Sequence, residues 1–180
     1  MTGTGSKEVM IIVSQGEIKT SSDPNHRLGT VLGSCVAVCM YDPFSKVGGM
    51  NHFLLPDKKG QPSDDLRYGV NLMELLINGL LQRGAKKHRL EAKVFGGARM
   101  LKGTHDIGRE NGEFALKFLQ TEGIPCRAQS LGGTAARRLQ FSPTTGQVRQ
   151  RQVFDIHSIE LQQPQNVPPP GASEVEFFSS

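Results

Sequence analysis

Three side chains with chemical potential crowd into residues 29–56, GTVLGSCVAVCMYDPFSKVGGMNHFLLP. Cys35 follows Gly33 and Ser34 and opens an apolar run. His52 lies between Asn51 and Phe53, and Thr30 stands just ahead of the cysteine. A thiol beside an imidazole is the minimum for nucleophilic acyl transfer, in which sulfur attacks and the ring moves the proton. Such a ring needs a third group to hold its tautomer, and the Thr30 hydroxyl is a candidate. Gly33 permits a bend that gathers N–H groups into a concavity, with Ser34 placed to contact a substrate. N–H groups there would lower a thiol pKa and receive a developing oxyanion. A free cysteine is equally at home as a small buried hydrophobe, and a lone strand histidine is usually structural. Pattern alone leaves both readings of Cys35 and His52 open. Cys39, mid-strand between Val38 and Met40, and Cys126, alternating with Ile124 and Ala128, read as buried hydrophobes.

The elements that must position these groups are legible in outline. Residues 36–41 form a continuous apolar run, as in a strand covered on both faces. Residues 48–55 read as the next strand, with 43–46 as the turn. Antiparallel pairing would set the start of the first strand beside the end of the second, and Cys35 near the rung of His52. Residues 8–13 read as a strand and 14–29 as a loop. Val70, Met73, Leu76, Ile77, Leu80 and Leu81 recur at helical spacing within 66–83; Asp64 or Asp65 is placed to cap the start and Gly84 to end it. A second helix spans about 108–122, with Phe114, Ala115, Phe118 and Leu119 on one side and Gly123 at its end. Strands are expected at 89–95 and 124–130, a hairpin at 136–142 and 147–154, and a last strand at 156–161. The order predicts an α/β layered fold: two helices over one face of a mixed, largely antiparallel sheet, with surplus strands in a second sheet on the other face. Residues 1–161 make the domain, and 162–180, rich in proline, read as a disordered tail. The acidic, aromatic tip Glu174–Phe178 reads as a frayed end or, less simply, a docking peptide.

Composition narrows the function classes. Residues of types A, V, I, L, M, F, W, Y and C make up 37% of the 180, and charged ones 21%, as in an ordinary water-soluble domain. No apolar run reaches the ~20 residues of a membrane span, and the start lacks the order of a signal peptide; a cytoplasmic protein with reduced thiols is expected. A net charge of +4 is too mild to imply nucleic acid. Arg137, Arg138, Arg149 and Arg151 read as the solvated face of the hairpin, or else as a patch for an acidic protein surface. Cys35 and Cys39 do not complete a metal ligand set, His88 and His105 lack ligand spacing, and neither Gly29–Gly33 nor VFGGARM carries a phosphate-loop pattern. No metal or cofactor is expected.

The segments TVLGSCVAVCMYDPFSKVGGMNHFLLP (30–56), LEAKVFGGARML (90–101), IGRENGEFALKFLQTEGI (107–124) and LGGTAARRLQFSPTTGQV (131–148), in this order, resemble the CheD family of chemoreceptor glutamine deamidases. The resemblance covers roughly residues 8–155. It implies an α/β/β layered sandwich like the catalytic domain of cytotoxic necrotizing factor toxins. It also implies hydrolysis of receptor glutamine amides to glutamate through a thioester, which tunes chemotactic adaptation without a cofactor. The family's nucleophile falls at Cys35, its histidine at His52 and its supporting threonine at Thr30. In some members that threonine stands one residue further from the cysteine, a place held here by Gly29. The partners implied are cytoplasmic domains of chemoreceptors and, in some bacteria, a CheC-type phosphatase. Competing readings of the same residues are a transglutaminase or peptidase, a receptor-binding adaptor, and a nucleic-acid binder using the arginine hairpin.

Overall fold

The apolar run after Cys35 becomes a strand with both faces covered: every residue of Val36–Asp42 is buried. Val36, Val38 and Met40 face one hydrophobic core, while Ala37, Cys39 and Tyr41 face another. A computed structural model describes residues 5–55, 62–101, 105–154 and 176–179. Its elements are β1 (Val9–Ile12), β2 (Ile18–Ser21), β3 (His26–Leu32), β4 (Val36–Asp42), β5 (Val47–Phe53), α1 (Pro62–Gln82), β6 (Glu91–Gly96), α2 (Ile107–Glu122), β7 (Cys126–Leu131), β8 (Ala136–Phe141), β9 (Val148–Val153) and β10 (Glu176–Phe178). One sheet runs β2-β5-β4-β6-β7 and the other β1-β3-β8-β9-β10. Each contains one parallel pair, β6 with β7 and β1 with β3; the other pairings are antiparallel.

The layers follow from the alternation on β4. Its even-numbered side packs on Leu72, Met73, Leu76 and Leu80 of α1 and on Ala115 and Leu119 of α2. Its odd-numbered side packs on Leu28, Leu32, Leu139 and Phe141 of the second sheet. The result is the three-layer α-β-β arrangement expected from the element order. Gly84 and Gly123 end the two helices with φ of +99° and +71°, the left-handed stop that glycine takes most readily. Leu81 is 37% exposed, and Leu72 takes its place in the core at 4%. The expected caps Asp64 and Asp65, and the expected strand at 156–161, fall on residues or side chains outside those described.

Two expectations are corrected here. Residues 14–29 are not a loop: β2 and the start of β3 lie within them. Both are polar and short, and β2 has a single buried residue, Ser21, so neither carries the alternation that marks a half-buried strand. Cys126 is exposed rather than buried. It begins β7, which lies at the edge of its sheet, and its residues on both sides of the strand are at most partly covered.

The tip of the chain is a third correction. Glu176–Phe178, read from sequence as part of an unstructured tail, pair antiparallel with β9. Phe178 sets its ring 5.3 Å from that of Phe95, edge to face. Its carbonyl accepts a 2.7 Å hydrogen bond from Lys93 Nζ, whose second acceptor is Gly146 O at 2.7 Å. Lys93 is fully buried, so its ammonium depends on those two carbonyls. Truncation ahead of Glu176 is therefore expected to cost about 1–3 kcal/mol from the deprived lysine, plus the lost ring contact. Urea unfolding checks this, and the same truncation in a Lys93→Met background should cost less.

Candidate active site

The hairpin of β4 and β5 fixes how Cys35 and His52 relate. Asp42 and Val47 close the ladder around a turn at 43–46, as expected, and the register sets Ala37 opposite His52. The turn is anchored by Asp42, which is fully buried. Its carboxylate accepts from Phe44 N–H (2.9 Å), Ser45 N–H (3.2 Å), Lys86 N–H (2.9 Å) and Arg89 Nε (2.9 Å). Burial alone would raise its pKa, but the donors from Lys86, Arg89 and Ser45 outweigh that and hold it at about 2. A one-residue slip would turn His52 to the helix side. In the observed register, Cys35 lies two residues before Ala37 and packs against the inter-sheet core, the layer that His52 also faces.

His52 is held from the opposite sheet. Its Nδ1 lies 2.8 Å from Thr30 Oγ1 and 3.1 Å from the Val13 carbonyl, and Thr30 Oγ1 donates to that same carbonyl at 2.8 Å. A carbonyl has no hydrogen to offer. Val13 O therefore takes the hydroxyl proton and stands beside Nδ1 as a second acceptor, so Nδ1 must carry a hydrogen. The lone pair then sits on Nε2, which is buried with no hydrogen-bond partner among the described residues. Thr30 is the residue that meets the ring; Gly29 instead lies beneath the Met10 side chain. Burial pushes the His52 pKa below its usual 6.5, partly opposed by the hydrogen bond to Val13 and the charge of Glu17.

The loop before β4 is pinned through its carbonyls. Ala98 N–H donates to Gly33 O (3.0 Å), Gly97 N–H to Cys35 O (2.8 Å) and Asn111 Nδ2 to Ser34 O (2.9 Å). Gly96 passes so close that a Cβ there would run into the Cys35 carbonyl. Asn111 also accepts from Leu55 N–H at 2.9 Å, fastening the Cys35 loop to the chain leaving β5. The Cys35 thiol is partly exposed. Its pKa is raised to about 11 by burial, against a smaller lowering by its own backbone N–H. One nearby N–H does not offset desolvation. Burial thus favours the uncharged form of both groups, and Cys35 Sγ and His52 Nε2 make no hydrogen bond with each other.

Several groups at the site were not singled out in the sequence. The Val13 carbonyl and the backbone of Gly96–Ala98 leave no side-chain signal. Asn111 left one: a polar residue on the buried stripe Gly108, Asn111, Gly112, Ala115 and Leu119 of α2. Gln15 lies in the segment read as loop, and Cys35 Sγ donates to its Oε1 at 3.6 Å. Arg137 is buried, not part of a solvated face, and donates to the carbonyls of Ser130 and Gly132. Among the described residues, no group of three or more His, Cys, Asp or Glu is placed to hold a metal ion, and no helix is long and apolar enough to cross a membrane.

The depressed His52 pKa gives a sign to the pH dependence of folding. Above about pH 6.5 the ring is neutral in both states. Below it the unfolded chain takes up a proton first, so His52 removes stability until the buried ring protonates. Wild type should lose more stability than His52→Gln between pH 7.5 and 5.5, read from urea midpoints (the other histidines cancel in the difference).

Comparison with known proteins bears on the whole chain. The family model described as CheD chemotactic sensory transduction matches residues 54–152. A protein of Rhizobium leguminosarum bv. trifolii named "Probable chemoreceptor glutamine deamidase CheD" is 48% identical over 99% of this chain and 100% of its own. One of the same name from Rhizobium meliloti is 49% identical over 92% and 94%, and one from Caulobacter vibrioides 48% over 96% and 95%. Among solved structures, a Neisseria meningitidis DUF152 protein aligns with TM-score 0.45 and 8% identity over 70% of this chain and 63% of that one. Near-identical length and close to half of all residues shared with relatives of one name make the assignment plain: the chain belongs to the CheD family.

Proposed function

We propose that this protein hydrolyses the side-chain amide of specific glutamines on chemoreceptor cytoplasmic domains, with Cys35 as nucleophile, His52 as acid and base, and Thr30 as the residue that positions His52. Relatives sharing nearly half of its residues carry the name of that activity. The observation that carries the residue roles is the Thr30–Val13 pair, which leaves the free lone pair of His52 on Nε2, in the layer shared with a partly exposed thiol.

The reaction follows from the resting charges. Because burial pushes the thiol pKa up to about 11, Nε2 takes the S–H proton as sulfur bonds to the amide carbon and the carbonyl electron pair moves to oxygen. N–H groups around Gly33 to Cys35 receive the oxyanion, with Ser34 at the substrate's side. The imidazolium, its other hydrogen directed at Thr30 and Val13, protonates the departing nitrogen, and ammonia leaves a thioester. Neutral Nε2 then accepts a proton from water, which opens the thioester to glutamate and returns the thiol. Overall one water replaces one ammonia, and no cofactor enters. A groove of about 270 Å³ beside the Cys35 loop, bordered by Gly97, Arg99, Arg109, Leu131 and Gly132, offers room for the chain flanking the target glutamine. The reaction takes place in the cytoplasm, where receptor signalling domains lie.

Two variants test the assignment on a purified receptor fragment, with mass spectrometry reading the exchange of NH₂ for OH. Cys35→Ala should abolish the exchange while the fragment still binds; exchange at the wild-type rate in that variant would remove the cysteine from the mechanism. Thr30→Val should lower kcat by roughly 10²-fold, the low end for acid–base assistance, since Val13 O still accepts from Nδ1. An added primary amine should not be incorporated; incorporation would make the protein a transferase.

A further inference from the structure

Among the described residues, Gln15 is the one side chain outside the Cys35 loop that forms a hydrogen bond with the sulfur, through Oε1 at 3.6 Å. Although exposed, it is presented by a segment bound on both sides to the groups that hold His52. Val13, two residues before it, supplies the carbonyl shared by Thr30 and Nδ1. Gly16 N–H donates to His52 O at 2.7 Å, and His52 N–H donates to Glu17 O at 3.2 Å. The turn is closed on itself by Glu17 N–H to Ser14 O (2.9 Å) and Ser14 N–H to the Glu17 carboxylate (2.9 Å). The backbone that carries Gln15 thus continues the pairing of β2 with the His52 strand, and Gln15 Oε1 lies 3.6 Å from the sulfur.

We infer that Gln15 is a further catalytic residue, whose side-chain N–H₂ group stabilises the oxyanion formed when Cys35 attacks a substrate amide. The inference rests on the cysteine mechanism proposed above. In the resting protein the thiol has a hydrogen to give, and Oε1 accepts it. On attack that proton passes to His52 Nε2, the S–C bond forms, and the amide oxygen takes the electron pair. The carboxamide then has no donor to accept from and faces a new negative oxygen. A half-turn about Cγ–Cδ replaces Oε1 by Nε2 in nearly the same place. An atom 3.6 Å from the sulfur is within hydrogen-bond reach of an oxygen on the carbon that sulfur has joined. Collapse of the intermediate expels ammonia and returns the carboxamide to a neutral thioester carbonyl. The donor is worth most when the charge exists, which is the condition for raising kcat rather than lowering KM.

The test separates donor from acceptor. Gln15→Glu keeps the shape and an oxygen for the thiol but has no N–H to offer, and it places a carboxylate beside the developing charge. Gln15→Ala removes both. With a receptor fragment as substrate, both variants should lower kcat by roughly 10²-fold or more, with KM within about twofold of wild type. Gln15→Glu should be at least as impaired as Gln15→Ala, and both should melt at the wild-type temperature, since the side chain is exposed. Turnover near wild type in either variant, or a loss confined to KM, overturns the inference. Cys35→Ala assayed in parallel keeps the two proposals apart: if it too turns over normally, the cysteine mechanism has failed, whereas an inactive Cys35→Ala beside an active Gln15→Glu removes Gln15 alone.

Discussion

A carbonyl that can only accept decides the protonation of the imidazole. Val13 O receives the Thr30 hydroxyl hydrogen and lies against His52 Nδ1. Any tautomer with a bare Nδ1 would set two lone pairs against each other in a buried space. The hydrogen must therefore be on Nδ1 and the lone pair on Nε2. Three separate chain segments meet in this arrangement: the end of β1 and the middle of β3 from one sheet, and the end of β5 from the other. The contact works only because the two sheets pack face to face, which makes the sandwich itself the support for the ring.

The rest of the structure maintains that meeting. A buried Asp42, loaded with donors from the turn, Lys86 and Arg89, keeps the hairpin in the one register that turns His52 toward the second sheet. Asn111, from the helix layer, ties the Cys35 loop to the residues leaving β5. Each is a buried polar group with its hydrogen bonds made, and each would be costly to misplace. The elevated thiol and depressed imidazole pKa values belong to the same design. Burial raises the one and lowers the other, and so favours the uncharged form of both groups.

The legible part of the fold was the part with strong periodicity. The β4–β5 hairpin, both helices and the β8–β9 hairpin came from apolar spacing and turn chemistry, because those elements bury a full stripe or face. Short, polar segments escaped: β2 and the first half of β3 show neither an apolar run nor a clean alternation. Cys126 was misjudged because an alternating pattern cannot tell a central strand from an edge strand. β10 was hidden because three residues hold their place through β9, Lys93 and Phe95, distant in sequence.

The amino-acid order by itself determined the family, the layer architecture, and the Cys35, His52 and Thr30 trio as candidates, since motif chemistry and hydrophobic period are local properties. Tertiary structure decided what those side chains face. It showed that Thr30 reaches Nδ1, that a main-chain carbonyl selects the tautomer, that Gln15 Oε1 lies within hydrogen-bond distance of the sulfur, and that burial pushes the thiol pKa up. Each of these depends on distances between residues from different strands, and on how much water the packed sheets leave around them. Neither quantity is written in any single stretch of the chain.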